Sequence, residues 1–199
     1  MELKKITVSD SQINEAGVKA ETTSRVYNLD APVIADVDRL VTSTNMVNDE
    51  YTIDGDQPDI SRNITVTVTA GDTADTMGKI TVVGTNYNDE SISEEIIPVA
   101  DSTVAGSKAF KSVTTITGSG WTIDGSEETN DTVTIGIGDK IGLPLALEDI
   151  SEVMVAILGN TITTPNAAIG DPITLEETII DLSSGTYNGT KEIVVFIVD

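Results

Sequence analysis

The stretch Arg62-Asn63-Ile64-Thr65-Val66-Thr67-Val68-Thr69 decides how this chain must fold. Its period is two. Ile64, Val66 and Val68 project to one face, and Thr65, Thr67 and Thr69 to the other. β-Branched side chains are stiff at χ1 and pack well on a pleated surface. The stretch therefore predicts a strand with one apolar face and one hydroxyl-bearing face.

The same idiom repeats on either side. Lys79 to Thr85 predicts the next strand, after a polar turn from Ala70 to Gly78. Asn86-Tyr87-Asn88-Asp89-Glu90 follows as a hairpin turn, since Asn and Asp tolerate left-handed backbone angles. Ser91 to Val99 returns, with Pro98 suited to a strand end or edge. Taken in order, the three strands predict an antiparallel meander.

Further out, Phe110 to Thr117 predicts a strand, turned by Gly118-Ser119-Gly120 into Trp121-Thr122-Ile123. Asp131 to Ile137 alternates again. Glu152 to Leu158 and Thr161 to Thr164 predict a pair turning at Gly159-Asn160. Ile173 to Leu182 and Lys191 to Val198 predict another pair. The run Ile193-Val194-Val195-Phe196-Ile197-Val198 is too apolar to be an exposed strand, so it belongs inside a sheet or against a neighbouring subunit. Toward the N-terminus, Lys4 to Val8 and Ser24 to Leu29 read as short strands, and Ser9 to Lys19 as a polar arm or loop. Ala31 to Thr42 fits a short helix or an irregular strand. The total is about ten strands with turns every 8–12 residues, an all-β antiparallel sandwich or barrel with room for one short helix. The expected division is an N-terminal arm with short strands over residues 1–50 and a main β domain over 51–199.

Composition agrees and removes much chemistry. Among the 199 residues, 28 are Thr, which suits the solvent face of strands. There is no His and no Cys, so triads built on imidazole or thiol are excluded, as are zinc sites that need those ligands. A formal charge of −22 repels phosphate backbones, so no nucleic-acid partner is expected. No apolar run reaches the ~20 residues that span a bilayer, and no apolar h-region follows Lys4-Lys5. Neither a membrane partner nor a signal peptide is expected, and synthesis is expected in a host cytoplasm.

The candidate sites each have a plainer explanation. Asp54-Gly55-Asp56-Gln57-Pro58-Asp59 resembles part of a calcium loop but lacks its ligand order and its later bidentate Glu. Gly136-Ile137-Gly138-Asp139-Lys140-Ile141-Gly142 imitates a dinucleotide fingerprint, yet Leu143-Pro144 stands where a helix would have to begin. Its glycines read as tight turns at a strand end. Glu94-Glu95, Glu127-Glu128 and Glu176-Glu177 are adjacent pairs, and neighbours on a strand point to opposite faces, so they cannot flank one glycosidic bond. The sequons at Asn63, Asn130 and Asn188 are expected by chance among so many Thr. Trp121 reads as a core anchor rather than a ligand platform. No catalytic, cofactor-binding or metal residue is assigned, no cofactor is expected, and the chain is not expected to be an enzyme.

Four stretches together resemble a known group. They are Gln57 to Thr69, Ile80 to Glu90, Ala105 to Thr114 and Val133 to Pro144. Their wording, Pro58-Asp59 with Arg62-Asn63, Gly106-Ser107-Lys108-Ala109-Phe110-Lys111, and Gly136-Ile137-Gly138-Asp139-Lys140-Ile141-Gly142-Leu143-Pro144, is similar to a family of tailed-bacteriophage virion proteins, often encoded among head genes. Asp89 stands where that family's hairpin carries Gly. The likeness covers about residues 57–145, with a weaker echo toward the C-terminus and a poor match over the first 50. It implies a virion structural role and carries no active site. The expected function is a capsid decoration (cement) protein on the head exterior that binds the major capsid protein as a homo-oligomer, a trimer being favoured. Residues 1–20 are expected to act as an anchoring arm, with a second contact near the C-terminal strand. Two alternatives are a tail-associated structural protein of the tube or baseplate, and a carbohydrate-binding adhesin-like module.

Overall fold

The computed structural model describes residues 24–72, 74–124, 130–148, 153–159, 161–163, 166–168, 174–182 and 187–198, and every regular element among them is a strand. In chain order these are β1 (Ser24–Asn28), β2 (Asp36–Asn45), β3 (Arg62–Thr69), β4 (Lys79–Thr85), β5 (Ser91–Ile96), β6 (Ser102–Phe110) and β7 (Ser112–Ser119). There follow β8 (Thr132–Gly142), β9 (Val153–Leu158), β10 (Thr161–Thr163), β11 (Asn166–Ala168), β12 (Ile179–Asp181) and β13 (Ile193–Val198). All pairings are antiparallel.

The long strand β8 organises the molecule. β3 runs along one of its edges. The other edge is shared, β2 pairing with Thr132 to Ile137 and β12 with Lys140 to Gly142. β6 and β11 complete this six-stranded sheet. A three-stranded sheet, β5-β4-β7, packs against its first half. Leu40, Ile64, Val66, Val133, Ile135 and Ile137 from one sheet meet Ile80, Val82, Ile92, Ile96, Val113 and Ile116 from the other in one buried core. Burying such side chains stabilises by about 1.5–3 kcal/mol each, which is what holds the layers together. A four-stranded sheet, β1-β13-β9-β10, forms a second core with the far end of β8. There Ile193, Val195 and Ile197 meet Ile141, Leu143, Leu147 and Ile180. The architecture is that of a β-sandwich, not a closed barrel.

Several expectations are corrected. Of the two readings of Ala31 to Thr42, the irregular strand is the one observed and the short helix is not: Asp36 to Asn45 pairs with β8 in a register that shifts twice. One shift lets the consecutive residues Leu40 and Val41 both point inward, which breaks the period of two and imitates helical spacing. The expected meander is not formed. β4 pairs with β5 and β7, while β3 lies in the opposite layer between β6 and β8. The turn after β3 therefore crosses the core instead of closing a hairpin. Phe110 ends β6 rather than starting a strand, and Ser102 to Phe110 is a strand that its polar composition concealed. Gly136, Gly138 and Gly142 lie inside β8, not in turns beyond its end. Ile179–Asp181 and Ile193–Val198 sit in different sheets, so they do not pair with each other. The C-terminal strand is paired on both edges, inside a sheet. The expected N-terminal strand and arm fall outside the described residues.

Candidate functional site

β3 keeps its two-residue rhythm while both of its neighbours bulge beside it. Across β8, Arg62 faces Ile141 and Ile64 faces Ile137, so Gly138, Asp139 and Lys140 stand opposite Asn63 alone. Across β6, Asn63 faces Ala109 and Thr65 faces Ala105, so residues 106–108 stand opposite Ile64. Bulges take peptide groups off the ladder, and those groups need other partners.

Side chains supply them. Arg62 Nε donates to Gly138 O at 2.8 Å, and a terminal nitrogen donates to the same oxygen. The other terminal nitrogen donates to Val33 O at 3.0 Å and lies 3.5 Å from Asp59 Oδ1. Asn63 Oδ1 accepts from Lys140 N at 3.0 Å. Glu94, reaching over from β5, accepts from Ser107 N, Ser107 Oγ and Lys108 N. Arg62 is fully buried, with its guanidinium carbon 5.3 Å from the Tyr187 ring centre. Burial lowers its pKa, and the nearby negative charge of Asp59 opposes that. Burial pushes the Tyr187 hydroxyl up to about 12.

Of the glycines of β8, Gly138 belongs to the same crossing, while Gly136 makes room for β2 on the other edge. A Cβ on Gly138 would lie 2.4 Å from Asn63 Oδ1, and one on Gly136 would lie 1.9 Å from Asp36 O. Both positions need an absent side chain so that a neighbouring group can approach.

The other candidates are dispersed. Asp54 accepts from Thr42 N and Thr42 Oγ1, which holds its carboxyl below the usual range. Asp59 accepts from Val33 N at 2.6 Å, while Asp56 is exposed. Among the described residues no three acidic side chains gather as a metal site. Glu95 pairs with Lys79, Glu176 lies 3.6 Å from Lys108, and Glu177 accepts from Thr174. Glu127 and Glu128 lie outside the described residues. Asn63 is buried, and Asn188 Oδ1 caps its own turn through Thr190 and Lys191, so both amides already have structural work. Asn130 is exposed. Trp121 packs against the main core and donates from Nε1 to Asp131 Oδ2 at 2.8 Å, as an anchor would.

Two surface features were not legible in advance. Ile97 and Val99, just beyond β5, are 70% and 54% exposed. They flank the buried Pro98, and Ile97 also borders a groove of about 450 Å³ with Gly78, Lys79, Ser119 and Gly120. The second feature is a cleft of about 210 Å³ beside the β4–β5 hairpin, whose apolar wall, Leu29, Ile60 and Ile141, comes from the second core. Fold and surface together define an all-β sandwich braced by a buried arginine, with an apolar projection at one sheet edge. No family model, no curated protein and no solved structure matches this chain.

Proposed function

We propose that this chain is a structural protein of a tailed-phage particle and, within that class, a head decoration protein that binds the major capsid protein. The observation that carries the reading is the role of the resembling motifs. Asp59, Arg62, Asn63 and Gly138 meet at one crossing, where they brace backbone. Residues that define a scaffold fit a protein that works by being a shape. The acidic surface suits the outside of a particle better than its DNA-facing side.

The contact surface is assigned to Ile97 and Val99. The C-terminal strand is already paired on both edges, whereas β5 is the edge of its sheet and its apolar continuation is exposed. Co-sedimentation with capsids built from the accompanying major capsid protein tests this. The wild-type chain is expected to sediment with capsids, and the double substitution Ile97→Asp, Val99→Asp to stay in the supernatant while remaining folded. Truncating residues 1–20 is expected to abolish binding as well. Recovery with purified tails and not with heads would replace this reading with the tail-associated one. Light scattering reads the oligomer, for which a trimer is expected.

A further inference from the structure

The cleft beside the β4–β5 hairpin is lined in part by Ser61, whose hydroxyl is buried. Ser61 is 4% exposed, and its Oγ has no hydrogen-bond partner among the described residues. A buried polar group left unpaired costs about 1–3 kcal/mol, so a fold keeps one only with reason. Ser61 lines the cleft together with Gly142, whose missing side chain leaves the hydroxyl room, since a Cβ there would lie 2.7 Å from Ser61 Oγ.

The rest of the lining is mixed in a particular way. Leu29, Ile60 and Ile141 give it apolar wall, and Tyr87 brings a half-buried ring from the hairpin. Asp30 brings a carboxylate, and no hydrogen bond engages that carboxylate among the described residues. Lys111 brings an ammonium group, held by Asp89 at 2.7 Å. Asp30 has φ of 63°, a left-handed conformation that aspartate tolerates.

The lining selects a ligand class. Two carboxylates, Asp30 and Asp59, in a chain of charge −22 disfavour an anion. The ammonium of Lys111 disfavours a metal ion. An apolar ligand would leave Ser61 Oγ and the Asp30 carboxylate without partners. A neutral ring with apolar C–H faces and hydroxyls around its edge answers every group. The volume lies below the about 300–1,000 Å³ of drug-sized pockets, which fits one ring and not a chain of them. We propose that this cleft binds a single hexose unit, with the Tyr87 ring against one face, Asp30 accepting from ring hydroxyls and Ser61 Oγ hydrogen-bonded at the inner end.

The test uses the full chain, labelled with nitrogen-15. D-Glucose, D-galactose, D-mannose, N-acetyl-D-glucosamine and L-rhamnose are titrated singly, and calcium chloride separately. At least one sugar is expected to give saturable amide shifts confined to residues near Asp30, Ser61, Tyr87 and Lys111. Tyr87→Ala and Asp30→Asn are expected to weaken that binding at least tenfold. Asn tolerates the left-handed backbone, so the second variant keeps the fold. Ser61→Ala is expected to weaken binding without lowering the melting temperature, a split that a purely structural hydroxyl would not give. No saturable shift from any sugar, shifts located elsewhere, or shifts at these residues from calcium alone would each overturn the proposal. Capsid co-sedimentation is a separate measurement, so failure here leaves the virion reading standing.

Discussion

Replacing Arg62 by Met tests whether the buried guanidinium holds the two cores together. Methionine fills similar space, so no large cavity is added. What disappears is a set of charge-assisted bonds: Nε to Gly138 O at 2.8 Å, a terminal nitrogen to Val33 O at 3.0 Å, and the contact with Asp59 at 3.5 Å. The carbonyls of Gly138 and Val33 then lose the arginine donor, and Asp59 keeps its bond from Val33 N but loses its cationic partner. Hydrogen bonds to charged groups contribute about 1.5–3 kcal/mol each, and breaking a buried pair from one side costs about 3–5 kcal/mol. The expected loss is about 4 kcal/mol, a large share of the about 5–15 kcal/mol that such a chain has in total. With a urea slope near the upper end of about 1–3 kcal/mol per molar, the midpoint should fall by about 1.5 M. Trp121, the single tryptophan, reports the main core by fluorescence, and far-ultraviolet circular dichroism reports all the sheets. Asp59→Asn is the control. It keeps an acceptor for Val33 N and removes only the charge, so it should cost about 1 kcal/mol or less. A midpoint shift under about 0.4 M for Arg62→Met, or equal losses for the two variants, would refute the view that the arginine acts mainly by satisfying bulged backbone.

Three further outcomes follow from the same geometry. Asp89 has φ of 64° at the last position of a turn closed by Asp89 N to Asn86 O, so Asp89→Gly should stabilise by about 0.5 kcal/mol after loss of the exposed Lys111 pair, measured by thermal melting. Glu94→Ala should cost about 1 kcal/mol, because the amides of Ser107 and Lys108 lose their acceptor, and it should raise aggregation through the uncovered β6 edge, read by light scattering. Tyr187 titrates at about 12 when folded against 10.0 ordinarily, so the folded state binds its proton more tightly and stability is lost as pH rises from about 10 to about 12. Tyr187→Phe keeps the ring over Arg62 and should remove that part of the alkaline fall in denaturant midpoint.

The sequence by itself determined the class of fold. Strict alternation at Ile64, Val66 and Val68, repeated at Val133, Ile135 and Ile137, can bury a continuous face only as a strand, and those six side chains are the centre of the main core. It also located the hairpin at Asn86 to Glu90, since local backbone preference acts over four or five residues. Partner choice was decided by tertiary structure. Alternation says which face is apolar but not which strand lies alongside, so β3 and β4 read as neighbours although they occupy opposite layers. The same limit hid the role of Arg62, Asn63 and Gly138. Arg62 and Gly138 stand 76 residues apart in the chain, and only the bulged register of β8 against β3 brings the arginine to the carbonyl it serves. The cleft was hidden for the same reason: Asp30, Ser61, Tyr87 and Lys111 come from four separate segments, and no spacing within any one of them announces the site.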